Sequence, residues 1–130
     1  MSQWLAVSIN VVFCMLALAA CATVQRMTAD QVRTTFIGMT DYGTSGNGEP
    51  FVTYLSPDGT IKLRRDGQSD TGRYRIEPDG ELCVQYQAYG QGQDVCQSMW
   101  KGTDRYYSTL SNGQPGVTIT TVKLGNVEAL

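Results

Sequence analysis

Short segments separated by turn signals constrain the fold of this chain more than any other feature of its sequence. From Phe51 onward, runs rich in β-branched and aromatic residues alternate with turns such as Pro57-Asp58-Gly59 and Asn112-Gly113. Turns of this kind join antiparallel neighbours. The runs predict seven strands, at 51–56, 60–65, 71–76, 81–86, 94–101, 105–110 and 117–124.

A meander of this length is expected to close on itself, because closure removes the unpaired edges of the sheet. A strand near Phe36–Thr40 would supply an eighth, whereas Asp41–Pro50, with its three glycines, predicts a mobile loop. The fold class predicted is therefore all-β, a small up-and-down barrel of seven or eight antiparallel strands. An open sheet or a sandwich is the alternative.

One short helix is predicted before the strands. Thr28 and Gln31 form a capping-box pattern, which marks a helix start. Val32 and Phe36 lie on one apolar stripe, and Gly38 is suited to end the helix. We expect this helix to pack on the barrel or across its mouth.

The N-terminal segment predicts export. Trp4–Ala20 is almost wholly apolar and carries no charge, as in a signal peptide or a short membrane span. At its end, Leu18-Ala19-Ala20-Cys21 resembles the lipobox of bacterial lipoprotein signals, in which small residues precede a cysteine. The resemblance implies a cleaved signal at 1–20, lipid on Cys21, a tether at 21–27 and a barrel domain at 28–130.

The same resemblance implies the location of the protein, and it implies that a membrane is the partner of its lipid anchor. Ala22 stands where Asp retains such lipoproteins in the inner membrane, so the outer membrane, at its periplasmic face, is the expected site of the lipid anchor.

The N-terminal segment departs from the usual signal in one respect. Met1-Ser2-Gln3 lacks the Lys or Arg that signals usually carry before the apolar core. The alternative is an uncleaved anchor helix that runs to about Val24.

The cysteines predict one disulfide. Cys14 lies within the signal, where bulky Phe13 rules out a lipobox, and Cys21 is assigned to lipid. Cys83 and Cys96 remain, and an exported pair is expected to oxidise. If the two face each other across a hairpin, its turn centres on Tyr89-Gly90.

Composition argues against several functions. The chain carries ten Lys and Arg against twelve Asp and Glu, so it lacks the basic excess of nucleic-acid binders. It has no histidine, the commonest general base and metal ligand, and no Gly-x-Ser-x-Gly motif. We therefore predict no catalytic residue, metal or cofactor, and a protein that is not an enzyme.

The hairpin Thr60–Ile76 holds half of the basic residues. With its turn centred on Gly67-Gln68, Ile61 faces the core and Lys62 stands opposite Arg73. This outward face is either a solvated surface with acidic neighbours or a docking face for an acidic envelope protein or an anionic envelope component. Its candidate binding residues are Lys62, Arg64, Arg73 and Arg75.

Tyr89 is a further candidate, in the glycine-rich loop Gln87–Gln93. A loop pinned by a disulfide suits recognition, although an ordinary exposed loop is the alternative. A group of aromatic residues on the strands is either barrel core or the lining of a small apolar cup. These are Tyr74, Tyr86, Trp100, Tyr106 and Tyr107.

Two likenesses concern the barrel domain. Gly72-Arg73-Tyr74-Arg75-Ile76, followed by Gly80-Glu81-Leu82-Cys83, is similar to small exported bacterial domains with a lipocalin-like barrel and no known function. Thr71-Gly72-Arg73-Tyr74 and Trp100-Lys101-Gly102 resemble the inhibitory motifs of C-type lysozyme-inhibitor lipoproteins, although they lie further apart. That likeness implies that Ser69 and Lys101 enter an enzyme's active site.

Three functional hypotheses follow. The first is a lipid-anchored binding or structural module of the cell envelope. The second is a periplasmic inhibitor of a lysozyme-like or proteolytic enzyme. The third is a barrel that holds a small ligand.

Overall fold

The computed structural model describes residues 24–130 of the chain. The predicted signal peptide, with its lipobox and Cys21, lies outside these described residues. Within 24–130, no helix combines the length and the apolar character needed to cross a membrane.

Strands dominate the described residues, with one α-helix near their beginning. A short turn at Tyr89–Gly92, in which Gly90 and Gln91 have positive φ, lies between the sixth and seventh strands. In chain order the elements are β1 (Gln25–Arg26), α1 (Ala29–Phe36), β2 (Met39–Thr44), β3 (Pro50–Leu55), β4 (Thr60–Arg65), β5 (Gln68–Ile76), β6 (Leu82–Tyr86), β7 (Val95–Lys101), β8 (Tyr106–Leu110) and β9 (Pro115–Leu124).

The strands form one closed antiparallel barrel. Each strand from β2 to β8 pairs with the next, and β9 pairs back with β2, so that eight strands close the sheet. The two-residue strand β1 adds to β7 beside Lys101 and Trp100. The predicted small all-β barrel with one short helix is confirmed.

The predicted mobile loop Asp41–Pro50 is wrong in its first part. Asp41 to Thr44 belong to β2, which hydrogen-bonds to both β3 and β9 and supplies the eighth strand. The local pattern does not indicate a strand here, because the residues are polar or small. The buried carboxyl group of Asp41 also interrupts the usual alternation of apolar and polar residues. Glycine is required at position 43, because a Cβ there would clash with the backbone carbonyl oxygen of Thr118.

The helix closes one end of the barrel. Its predicted capping box is present: Gln31 N donates to Thr28 Oγ1 at 3.2 Å, and Thr28 N donates to Gln31 Oε1 at 2.9 Å. Val32 and Phe36 are fully buried in the core. The ring of Phe36 packs edge-on against Tyr106, with 5.2 Å between ring centroids.

The β4–β5 hairpin has a different register from the one predicted. Its turn is Asp66-Gly67, where both residues have positive φ, the geometry that two-residue hairpins favour. Lys62 therefore stands opposite Thr71 rather than Arg73. Because the shift is two residues, each side chain keeps its predicted face, and Ile61 remains in the core.

The predicted cysteine pair is confirmed. Cys83 and Cys96 face each other on β6 and β7, with their sulfur atoms 2.06 Å apart. Val84 faces Val95 beside them. This disulfide joins β6 to β7 near the base of the loop between them.

Candidate functional site

The barrel encloses a cavity of about 410 Å³. Eight strands leave an interior that side chains fill or that holds one small ligand. The volume found here lies within the range of small-molecule sites, roughly 300–1,000 Å³. The cavity wall is mainly apolar and includes Leu55, Ile61, Leu63, Leu82, Val84 and Met99.

The cavity is closed at the helix end and reaches solvent at the other. Leu55 and Met99 line it and also belong to the core cluster that contains Phe36 of α1. At the opposite end, the exposed residues Asn47 and Gly90 line it, in the loops after β2 and β6. The opening of the cavity therefore lies between these loops.

Tyr89 lies on the rim of this opening. The guanidinium of Arg65 stacks on the Tyr89 ring, 4.8 Å from its centroid, and donates hydrogen bonds to the Tyr89 hydroxyl and to Glu49. Asp70 accepts hydrogen bonds from the backbone N–H groups of Ala88 and Tyr89. The loop after β6 is thus attached to β4 and β5, although the Tyr89 side chain remains half exposed.

Asp41 is the acidic residue on the cavity wall, and sequence reasoning missed it. It lies on β2 between Thr53 of β3 and Val122 of β9, and it is 2% exposed. Its Oδ1 is the one buried side-chain oxygen or nitrogen within residues 24–130 that has no hydrogen-bond partner. Burial raises the pKa of Asp41 to about 8.

Tyr86 is a second polar group of the wall. It lies on β6 and packs against the core cluster, with its ring edge-on to that of Tyr89. Burial, and then the nearby carboxyl groups of Asp70 and Asp41, raise the pKa of the Tyr86 hydroxyl. That hydroxyl therefore stays protonated at physiological pH and can donate a hydrogen bond.

The four predicted basic residues lie on the outer face of the barrel, away from the cavity. Arg64 pairs with Glu128 at 2.8 Å, and Arg75 pairs with Glu77 at 2.7 Å and with Asp94 at 2.8 Å. Lys62 and Arg73 make no ion pair within residues 24–130. Two of these four basic residues, Arg64 and Arg75, are therefore paired with carboxylates.

The other candidate residues are scattered. Of the strand aromatics, Tyr86 lines the cavity, Tyr74 and Tyr106 pack around the core, and Trp100 donates to Thr109 at 3.0 Å. Ser69 lies on β5 near the open end of the barrel, whereas Lys101 ends β7 at the helix end. The fold therefore does not bring Ser69 and Lys101 together.

Comparison of the chain with protein-family models, with curated proteins and with solved structures found no match. The likenesses to lipoprotein signals, lipocalin-like domains and lysozyme inhibitors therefore stay predictions. Within the described residues, no group of three or more Cys, Asp or Glu is placed to hold a metal ion.

Proposed function

We propose that this protein is a lipid-anchored protein of the cell envelope whose barrel binds a small apolar molecule. The observation that carries the proposal is the cavity of about 410 Å³, apolar in its wall and open at one end. Protein interiors are normally close-packed, because wall atoms that face an empty space lose their dispersion contacts. A bound molecule would restore those contacts.

The proposed location rests on two features of the sequence and one of the structure. The lipobox resemblance at Leu18-Ala19-Ala20-Cys21 supports lipid on Cys21, and Ala22 supports the outer membrane. The Cys83–Cys96 bond supports an oxidising compartment such as the periplasm. In this proposal the membrane is the partner of the N-terminal lipid.

The geometry favours ligand binding over the two other hypotheses. A docking face for anions would keep only Lys62 and Arg73 as unpaired cations, since Arg64 and Arg75 already bind carboxylates within residues 24–130. An inhibitor of the lysozyme-inhibitor type would need Ser69 and Lys101 on one surface, yet they lie at opposite ends of the barrel. The cavity, by contrast, is a concave and mainly apolar site with a few polar groups, as small-molecule sites usually are.

The proposal is tested with the neutral probe N-phenyl-1-naphthylamine, whose fluorescence rises in apolar surroundings. The full chain, kept in solution by an amphipol with the amphipol alone as blank, should bind the probe saturably, with one probe per chain. Val117→Trp, which fills the cavity from β9, should weaken binding at least tenfold.

Val127→Trp is the matched control, because Val127 is 53% exposed and does not line the cavity. It should bind the probe as the wild type does. Thermal unfolding of both variants shows whether each is folded. Absence of saturable binding by the wild type would overturn the proposal without reliance on any variant.

A further inference from the structure

Asp41 is the feature of the cavity that packing does not explain. A carboxyl group removed from water is costly unless a partner satisfies it. Two other buried polar side chains have partners: Thr40 Oγ1 donates to the carbonyl oxygen of Gly125 at 2.6 Å, and Ser108 Oγ accepts from Val117 N at 2.7 Å. The unsatisfied group is therefore confined to the cavity wall.

The surroundings of Asp41 offer no cation to pair with it. Its neighbours on the adjoining strands, Thr53 and Val122, are uncharged, and Tyr86 of β6 contributes a neutral hydroxyl. Arg65 of β4 is the only cation among the described residues of the wall. Arg65, however, is engaged at the rim by Glu49 and Tyr89.

We propose that the cavity selects an apolar amine, with its ammonium group against Asp41 and its hydrocarbon part along the leucine and valine wall. This inference rests on the proposed ligand-binding function and names the class of ligand. An ammonium group donates three hydrogen bonds and neutralises a carboxylate. A hydrocarbon part of about ten carbons would restore dispersion contacts with the wall.

The proposal carries a specific pH dependence. Because burial raises the pKa of Asp41 to about 8, the carboxyl group of the empty cavity is mostly protonated at pH 7. An alkylammonium ion, with a pKa close to that of Lys at about 10.4, stays charged over this range. Binding therefore releases one proton from Asp41, and the affinity falls about tenfold for each pH unit below 8.

Displacement of N-phenyl-1-naphthylamine from the full chain by three ligands of equal chain length tests the inference. Decylamine, decanol and decanoic acid are compared at pH 6, 7 and 8. We expect decylamine to bind at least tenfold more tightly than decanol at pH 8, with the predicted loss towards pH 6. In Asp41→Asn this preference should disappear while decanol binding persists.

Asp104→Asn is the matched control, since Asp104 lies in an exposed turn, pairs with Arg105 and does not line the cavity. It should keep the preference for decylamine. Calorimetry of the wild type in buffers of different ionisation enthalpy gives a readout that needs no variant. About one proton should be released per decylamine bound at pH 7.

The outcomes separate the inference from the function on which it rests. If the probe binds but decanol competes as well as decylamine, or no proton is released, the amine inference is overturned and the ligand-binding barrel stands. A preference for decanoic acid that strengthens in acid also overturns it. If the wild type does not bind the probe, both are overturned.

Discussion

Asp41 makes the stability of the folded barrel depend on pH. In the unfolded chain its carboxyl group titrates near pH 4, whereas in the barrel burial raises the pKa to about 8. Between these values the folded state holds a proton that the unfolded state has lost. This contribution to stability is therefore fully present below about pH 4 and is lost as the pH rises towards 8, by up to about 1.4 kcal/mol per pH unit.

We expect Asp41→Asn to flatten this dependence and to raise the free energy of unfolding at pH 7 by at least about 1 kcal/mol, because the amide has no proton to lose. Urea unfolding at pH 5, 6, 7 and 8 measures both effects. Asp104→Asn, at an exposed site, should keep the wild-type slope between pH 5 and 8. An equally steep slope in Asp41→Asn would contradict the assignment of the titration to Asp41.

Cys21 carries the prediction of a lipid anchor. Only a thiol at this position can accept the diacylglyceryl group, so Cys21→Ser should abolish the incorporation of labelled fatty acid and lower the mass of the protein accordingly. Cys14→Ser is the control and should leave labelling unchanged, because Phe13 before it is too bulky for the cleavage site. Labelling that persists in Cys21→Ser would contradict the lipobox and favour the uncleaved anchor helix.

Elements differ in how far local sequence determines them. The capping box at Thr28 and Gln31 was predictable because its partners are three residues apart and act within one turn. The predicted centre of the β4–β5 turn, Gly67-Gln68, lies one residue after the observed turn, although Asp66-Gly67 is itself a two-residue hairpin signal. The sequence predicts a strand that ends at Thr40, whereas β2 continues to Thr44, because the burial of Asp41–Thr44 depends on β3 and β9, which the local pattern does not reveal.

Thr28 provides a test of how much the helix cap contributes to stability. Removing its hydroxyl leaves a backbone N–H of the first helical turn without a partner, so Thr28→Ala should lower the free energy of unfolding by about 1 kcal/mol. Thr28→Ser, which keeps the hydroxyl, should lie close to the wild type. Urea unfolding measures both variants. Equal losses in the two would show that the methyl group, rather than the cap, stabilises the helix.

In the whole molecule, the pairing of β9 with β2 is the contact that closes the barrel. It joins strands about 80 residues apart in sequence, such as Thr40 opposite Lys123, and it removes both edges of the sheet. Closure creates an interior, and the side chains of eight strands then determine how much of it is filled. The helix fills one end with Val32 and Phe36, and the other end remains open.

The strands β3 to β9, the helix cap and the cysteine pair could be predicted from local sequence, because each depends on backbone preferences or on partners within one hairpin. The burial of Asp41 on a cavity wall, and the contacts of Arg65 with Glu49 and Tyr89 at its rim, could not be predicted in this way. Those contacts join distant strands. The burial of Asp41 and the size of the cavity are properties of the closed barrel, which no local segment possesses alone.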